Sequence, residues 1–250
     1  MIAVKDVTIG PFSKFNMELE EGVFSIIAGS NNSGKTLLLK ILTNLVRYKG
    51  KVSYGDITYK EVGLYLNNCF QKDKVLESLR FPLEKKGYDN DKIVKQVNSI
   101  SKDLLLESFL DKNISDLTYY EMIRLHIAIC LMDQPKILFL DDPVLYLSFD
   151  EKKELMELFN RLNATGLSII MTTSNLDITV YANNSILYTL DKGKIISKGS
   201  IYSVLSNDSL INKAALELPF AVDLCVKLKY YNVVSRIDYS LQELVDVIWK

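Results

Sequence analysis

Apolar positions fall into two textures along this chain. Residues 23–28 and 136–140 are short, continuous apolar runs. A run of that kind predicts a strand covered on both faces, hence a parallel sheet. Shorter β-rich stretches at 51–54, 62–66, 167–171, 185–190 and 194–197 predict further strands. Between them the period changes. Residues 36–42 read as a buried helix that runs on to about 48–50, and 152–162 read as another. From about 71 to 131 the chain becomes charged and helix-periodic, with Val75, Leu76 and Leu79 sharing one face and Ile93, Val97 and Ile100 another. The alternation predicts an α/β fold over residues 1–200 with a helical insert at about 71–131. The tail from 201 to 250 is helical in character and broken at Pro219. Its last helix opens on Ser240-Leu241-Gln242-Glu243, a capping-box pattern.

Composition narrows the function classes. Thirty basic and 31 acidic residues give a net charge of −1, which argues against nucleic acid as the main partner. Cys69, Cys130 and Cys225 are far apart and form no metal pattern, as expected of a reduced, cytosolic protein. The first six residues lack a signal-peptide layout. No apolar stretch approaches the ~18 residues a membrane span needs, so work at a membrane would require other subunits to supply the spans. Abundant Lys and Asn with little Arg hint at a bacterial source.

Candidate chemistry sits at the strand ends. Gly29, Ser30, Asn31, Asn32, Ser33, Gly34, Lys35 and Thr36 fit the phosphate-loop pattern G-x-x-x-x-G-K-[ST] between a predicted strand and a predicted helix, with Leu37 next on the helix. Backbone amides of such a loop converge on phosphate oxygens, and the helix N-terminus adds positive partial charge. Lys35 is the candidate partner of the β- and γ-phosphates, and the Thr36 hydroxyl a candidate ligand of Mg²⁺. Leu138-Phe139-Leu140-Asp141-Asp142-Pro143 ends an apolar strand in carboxylates, where ligands of parallel sheets bind. Asp141 is the second candidate for Mg²⁺.

The two motifs, with a helical insert between them and a helix-opening motif just before the second, resemble the ATP-binding subunits of ABC transporters over nearly the whole chain. Val75-Leu76-Glu77-Ser78-Leu79-Arg80-Phe81, Leu216-Glu217-Leu218-Pro219-Phe220-Ala221-Val222 and residues 240–248 bring it nearest the energy-coupling-factor (ECF) type. The resemblance implies the P-loop NTPase fold of ABC ATPases, with a mixed sheet core. It also implies Mg-ATP binding and vitamin or metal-ion import at the cytoplasmic face of the membrane. The implied partners are a second ATPase subunit, a transmembrane scaffold and a substrate-binding membrane subunit. Residues 201–250 become a dimerisation element by resemblance.

Departures from the family pattern matter as much. The family's Leu-Ser-Gly-Gly-Gln signature falls on Leu117-Thr118-Tyr119-Tyr120-Glu121. Two tyrosines there obstruct the approach to a partner's phosphate or turn their rings aside, while Thr118 and Glu121 keep a capping box. Asp142 stands where the family has its general-base Glu, one methylene short of the reach base catalysis needs. Ser174 stands where a γ-phosphate-sensing His belongs, and Asn67 takes the Q-loop glutamine position, with Gln71 four residues late. Ser148 replaces an Asp after the second motif, and Asn32 replaces a loop glycine at little backbone cost. His126, the lone histidine, reads as structural. The adenine-stacking aromatic is Phe12, Phe15 or neither. The pattern predicts an ATP-binding subunit whose own hydrolysis is weak, in a heterodimer, or a non-catalytic structural or regulatory subunit.

Overall fold

The computed structural model describes residues 1–57, 62–65, 70–234 and 244–246. Asn67, Cys69 and the 240–243 capping box lie outside the described residues. The chain opens with β1 (Ile2–Ile9) and β2 (Phe12–Leu19), an antiparallel pair that β4 (Lys49–Ser53) extends on the other side of β1. The larger sheet has the order β5-β6-β7-β3-β8-β9. It comprises β3 (Phe24–Ala28), β5 (Val62–Tyr65), β6 (Ile137–Asp141), β7 (Ser168–Thr173), β8 (Ile186–Asp191) and β9 (Lys194–Ser200). Its pairings are parallel up to β8 and antiparallel at β9.

The continuous apolar runs are explained by two cores, one on each face of this sheet. Phe24, Ile26 and Ala28 of β3 and Leu138 and Leu140 of β6 point into the core shared with the helical insert. Ile27, Ile137 and Phe139 point the other way, into a core between the two sheets. Helix α1 (Lys35–Leu42) fills that second core with Leu38, Leu39, Ile41 and Leu42. The first core is covered by α2 (Val75–Lys85), α3 (Asn90–Asp103), α4 (Tyr119–Leu131) and α5 (Phe149–Ala164). In the tail, α6 (Ile201–Leu205), α7 (Asp208–Lys213) and α8 (Phe220–Tyr230) follow. Ile201, Val204, Leu205, Ile211, Leu216 and Val222 join the same core as the insert.

Two helix boundaries differ from expectation. α1 stops at Leu42 rather than near 48–50, because Asn44 turns left-handed at φ 58°. Asn44 N–H then donates to Ile41 O at 3.1 Å and Leu45 N–H to Lys40 O at 2.8 Å, the paired bonds of a Schellman cap. α5 begins at Phe149, earlier than 152, because Ser148 and Glu151 form a capping box.

His126 is held on α4 between the rings of Tyr65 and Phe70, at centroid distances of 4.8 and 5.4 Å. Burial pushes its pKa down to about 4 from an ordinary 6.5. The unfolded chain therefore takes up a proton near pH 6.5 that the fold refuses until about pH 4. Stability is expected to fall by of order 3 kcal/mol as pH drops through that window. His126→Phe should remove most of that slope, read as the urea midpoint at pH 7.5 against pH 4.5. An unchanged slope would assign the acid sensitivity elsewhere.

Candidate functional site

The strand order brings the two sequence motifs together. β3 and β6 flank β7, so the loop after β3 and the carboxylates at the end of β6 share one sheet edge. The loop is anchored by Gly29 N–H donating to Thr173 O at 3.1 Å and closes on itself through Ser33 N–H to Ser30 O at 3.1 Å. Asn32 takes φ 67° and Gly34 φ 109°, so the glycine replacement at 32 falls on a residue type that tolerates this backbone. A Cβ at Gly29 would lie 2.6 Å from Leu190 O, so the turn closes only without a side chain there.

Lys35, only 8% exposed, folds back over the loop. Its ammonium donates to Gly29 O at 2.7 Å and Ser30 O at 3.0 Å. Burial lowers its pKa, and the nearby charges of Asp142 and Asp141 oppose that shift. A desolvated cation beside free loop amides and a helix N-terminus is the donor set that polyphosphate needs.

The carboxylates at the end of β6 differ in their surroundings. Asp141 Oδ1 accepts from Thr172 at 2.7 Å and from Thr36 at 3.2 Å. Thr36 and Asp141 thus form a compact oxygen pair, which fits Mg²⁺ taking its remaining ligands from phosphate and water. Asp142 has a left-handed backbone at φ 43°. Its Oδ2 accepts from Ser174 at 3.2 Å and its Oδ1 from Thr173 at 3.5 Å. Burial pushes the Asp142 carboxyl up, against the hydrogen bond from Ser174 and the charge of Lys35. A cleft of ≈ 750 Å³ adjoins these groups, lined among others by Pro11, Lys35, Thr36, Asp141, Asp142 and Leu145.

The 118–121 segment opens α4 with Thr118 Oγ1 accepting from Glu121 N–H at 3.2 Å and Glu121 Oε2 accepting from Thr118 N–H at 2.7 Å. Tyr119 meets the exposed Tyr146 edge to face at 6.2 Å. Tyr120 carries the Arg124 guanidinium 4.9 Å from its centroid, and burial pushes its hydroxyl up to about 12. Both rings are therefore held by this chain's own side chains. Phe12 and Phe15 are 1% and 6% exposed and pack on each other at 4.8 Å. As core residues, neither presents a face for a base to stack on. Thr172, which holds Asp141, went unnoticed in the sequence because only the β6–β7 register places it opposite. Pro11 and Leu145 lack any sequence signal for their place in the cleft.

The ABC transporter family model matches residues 12–145. The energy-coupling factor transporter ATP-binding protein EcfA3 of Oenococcus oeni is 31% identical, over 91% of this chain and 82% of its own. EcfA2 of Streptococcus pyogenes is 28% identical, over 93% and 90%. Among solved structures, cbiO1 of Clostridium perfringens, described as part of the ABC transporter complex cbiONQ, superposes with a TM-score of 0.76 at 23% identity. That match covers 87% of this chain and 95% of cbiO1. An ATP-binding cassette of an ABC transporter in its ADP conformation superposes at 0.75 with 21% identity, over 86% and 98%. These structural likenesses show the fold, an α/β P-loop NTPase with a mixed sheet and helical subdomains. With the family match over more than half its length and a curated relative at 31% identity, the chain belongs to the ABC transporter ATP-binding family and is homologous to ECF transporter ATPase subunits.

Proposed function

We propose that this chain is an ATP-binding subunit of an ECF-type importer of vitamins or metal ions, working at the cytoplasmic membrane face. It pairs with a second ATPase subunit beneath a transmembrane scaffold and a substrate-binding subunit. The loop from Gly29 to Thr36 holds the phosphates, with Lys35 exchanging its two carbonyl partners for phosphate oxygens. Thr36 and Asp141 hold Mg²⁺, which when bound neutralises phosphate charge. No helix among the described residues is long and apolar enough to cross a membrane, so the spans belong to other subunits. Residues 201–250 serve pairing, and the scaffold docks on the region from Asn67 to Lys86. Crosslinks from the membrane subunit to another face would refute that docking.

The observation that carries weak hydrolysis is Asp142. A base must reach the attacking water to about 2.6–3.2 Å. This carboxylate is a methylene short, and both its oxygens already accept from Thr173 and Ser174. Asp142→Glu combined with Ser174→His is expected to raise ATP turnover at least ~tenfold in a phosphate-release assay, given the 10²–10⁴-fold worth of a positioned base. Affinity for a fluorescent ATP analogue should change little. Unaltered turnover would remove Asp142 as the cause. A second reading, a purely structural subunit, is favoured by Tyr119 and Tyr120, whose rings stand at the signature position and pack against this chain's own Tyr146 and Arg124. Under it, Asp142→Ala leaves transport by the assembled complex unchanged.

A further inference from the structure

The hairpin that joins β1 to β2 is only Gly10 and Pro11, and Pro11 forms part of the wall of the phosphate cleft. A turn this short carries no ring over the cleft. The first aromatic after it, Phe12, points beneath the loop instead, because a Cβ on Gly34 would lie 3.0 Å from its ring. Phe15 packs on Phe12 in the same core. What the hairpin does present is Pro11, with half-buried Leu37 of α1 in the same lining. Pro11 has no N–H to offer a base edge, and its carbonyl oxygen is packed against Gly193. The polar side chains of the lining are Asn31, Asn32, Lys35, Thr36, Asp141 and Asp142. All six belong to the phosphate loop, the start of α1 or the end of β6 and its exit. Among the described residues, no aromatic ring lines this cleft. The exposed ring of Tyr146 lines the neighbouring cavity, which shares Asp142 and Leu145 with it.

We infer that the cleft selects the triphosphate and not the base. It takes ATP, GTP, CTP and UTP with nearly equal affinity, and inorganic tripolyphosphate only a little more weakly. This selectivity rests on the nucleotide-binding role proposed above and sets the breadth of its ligand class. A stacked aromatic contributes about 5- to 150-fold to affinity, and hydrogen bonds to a base edge are what reject a wrong base. Neither device is present among the described residues of this cleft. The triphosphate, by contrast, meets Lys35, the loop amides and the Thr36–Asp141 pair. Pro11 and Leu37 form an apolar shelf on which any base can rest, since every base has a π-face.

The test is calorimetric titration of the full chain, with Mg²⁺ present, against ATP, GTP, CTP, UTP, tripolyphosphate and adenosine. The four nucleotides should bind within about threefold of one another and tripolyphosphate within about tenfold of ATP, with no measurable heat from adenosine. Lys35→Ala should weaken every phosphate ligand by a similar factor, because the ammonium meets what they share. Tyr146→Ala should change none of them by more than about twofold, a stacked ring being worth at least about fivefold. ATP binding at least ~tenfold tighter than both CTP and tripolyphosphate would overturn the inference and leave the ATP-subunit reading intact. A purine preference that disappears in Tyr146→Ala would overturn it too, and would place the base on that ring. Tripolyphosphate that fails to bind where the nucleotides do would likewise defeat it alone. If neither ATP nor tripolyphosphate binds, the ATP-subunit reading falls and the triphosphate selectivity with it.

Discussion

Lys35→Ala is expected to weaken ATP binding by about 30- to 1000-fold, the cost of ~2–4 kcal/mol for removing one partner of a buried charge pair. The fold should not suffer in proportion. The ammonium is desolvated, its pKa is lowered, and its two bonds go to the Gly29 and Ser30 carbonyls, which water in the open cleft can satisfy instead. The unfolding free energy without nucleotide should therefore change by no more than about 1 kcal/mol. The two effects separate in one experiment. Thermal unfolding of the parent chain should shift upward with Mg-ATP, and the variant should show no shift at the same concentration. A variant that kept its nucleotide shift would show that Lys35 holds loop carbonyls and little else.

Gly193→Ala should be the most damaging small substitution to the fold. Gly193 turns the chain between β8 and β9 at φ 76°, and its N–H donates to Ser33 O at 3.0 Å, bracing the phosphate loop from below. A Cβ there would overlap Pro11 O and lie 2.6 Å from Pro11 C. Left-handed backbone costs Ala ~1–2 kcal/mol and overpacking against backbone ~1–3 more, so a loss of about 2–5 kcal/mol is expected. Urea unfolding measures it. Because the brace acts on Ser33, ATP affinity should also fall, while Gly22→Ala, at a position open to solvent, should spare affinity.

How much of this was legible in the sequence follows from which interactions are local. The strands β3 and β6 were readable because burial on both faces leaves a continuous apolar run. The phosphate loop was readable because its turn needs specific residue types in order. The opening of α4 was readable from Thr118 and Glu121, since a capping box is a four-residue event. The start of α5 at Ser148 and the end of α1 at Asn44 are equally local events, a capping box and a left-handed cap. What stayed hidden depends on register and packing. Thr172 meets Asp141 only through the pairing of β6 with β7. The hydroxyls on Asp142 come from residues 173 and 174, two strands' ends brought side by side. The burial of Phe12 and Phe15 reflects the second sheet closing over α1, which periodicity near the N-terminus did not disclose.

This chain is expected to grip Mg-ATP and scarcely turn it over alone. The direct measurement is equilibrium binding and phosphate release on one purified sample, with Lys35→Ala beside it. Saturable, Lys35-dependent binding with release well below about 1 s⁻¹, the lower bound of ordinary enzyme turnover, is the predicted result. Release of several phosphates per second from the unpartnered chain, abolished by Lys35→Ala, would contradict it.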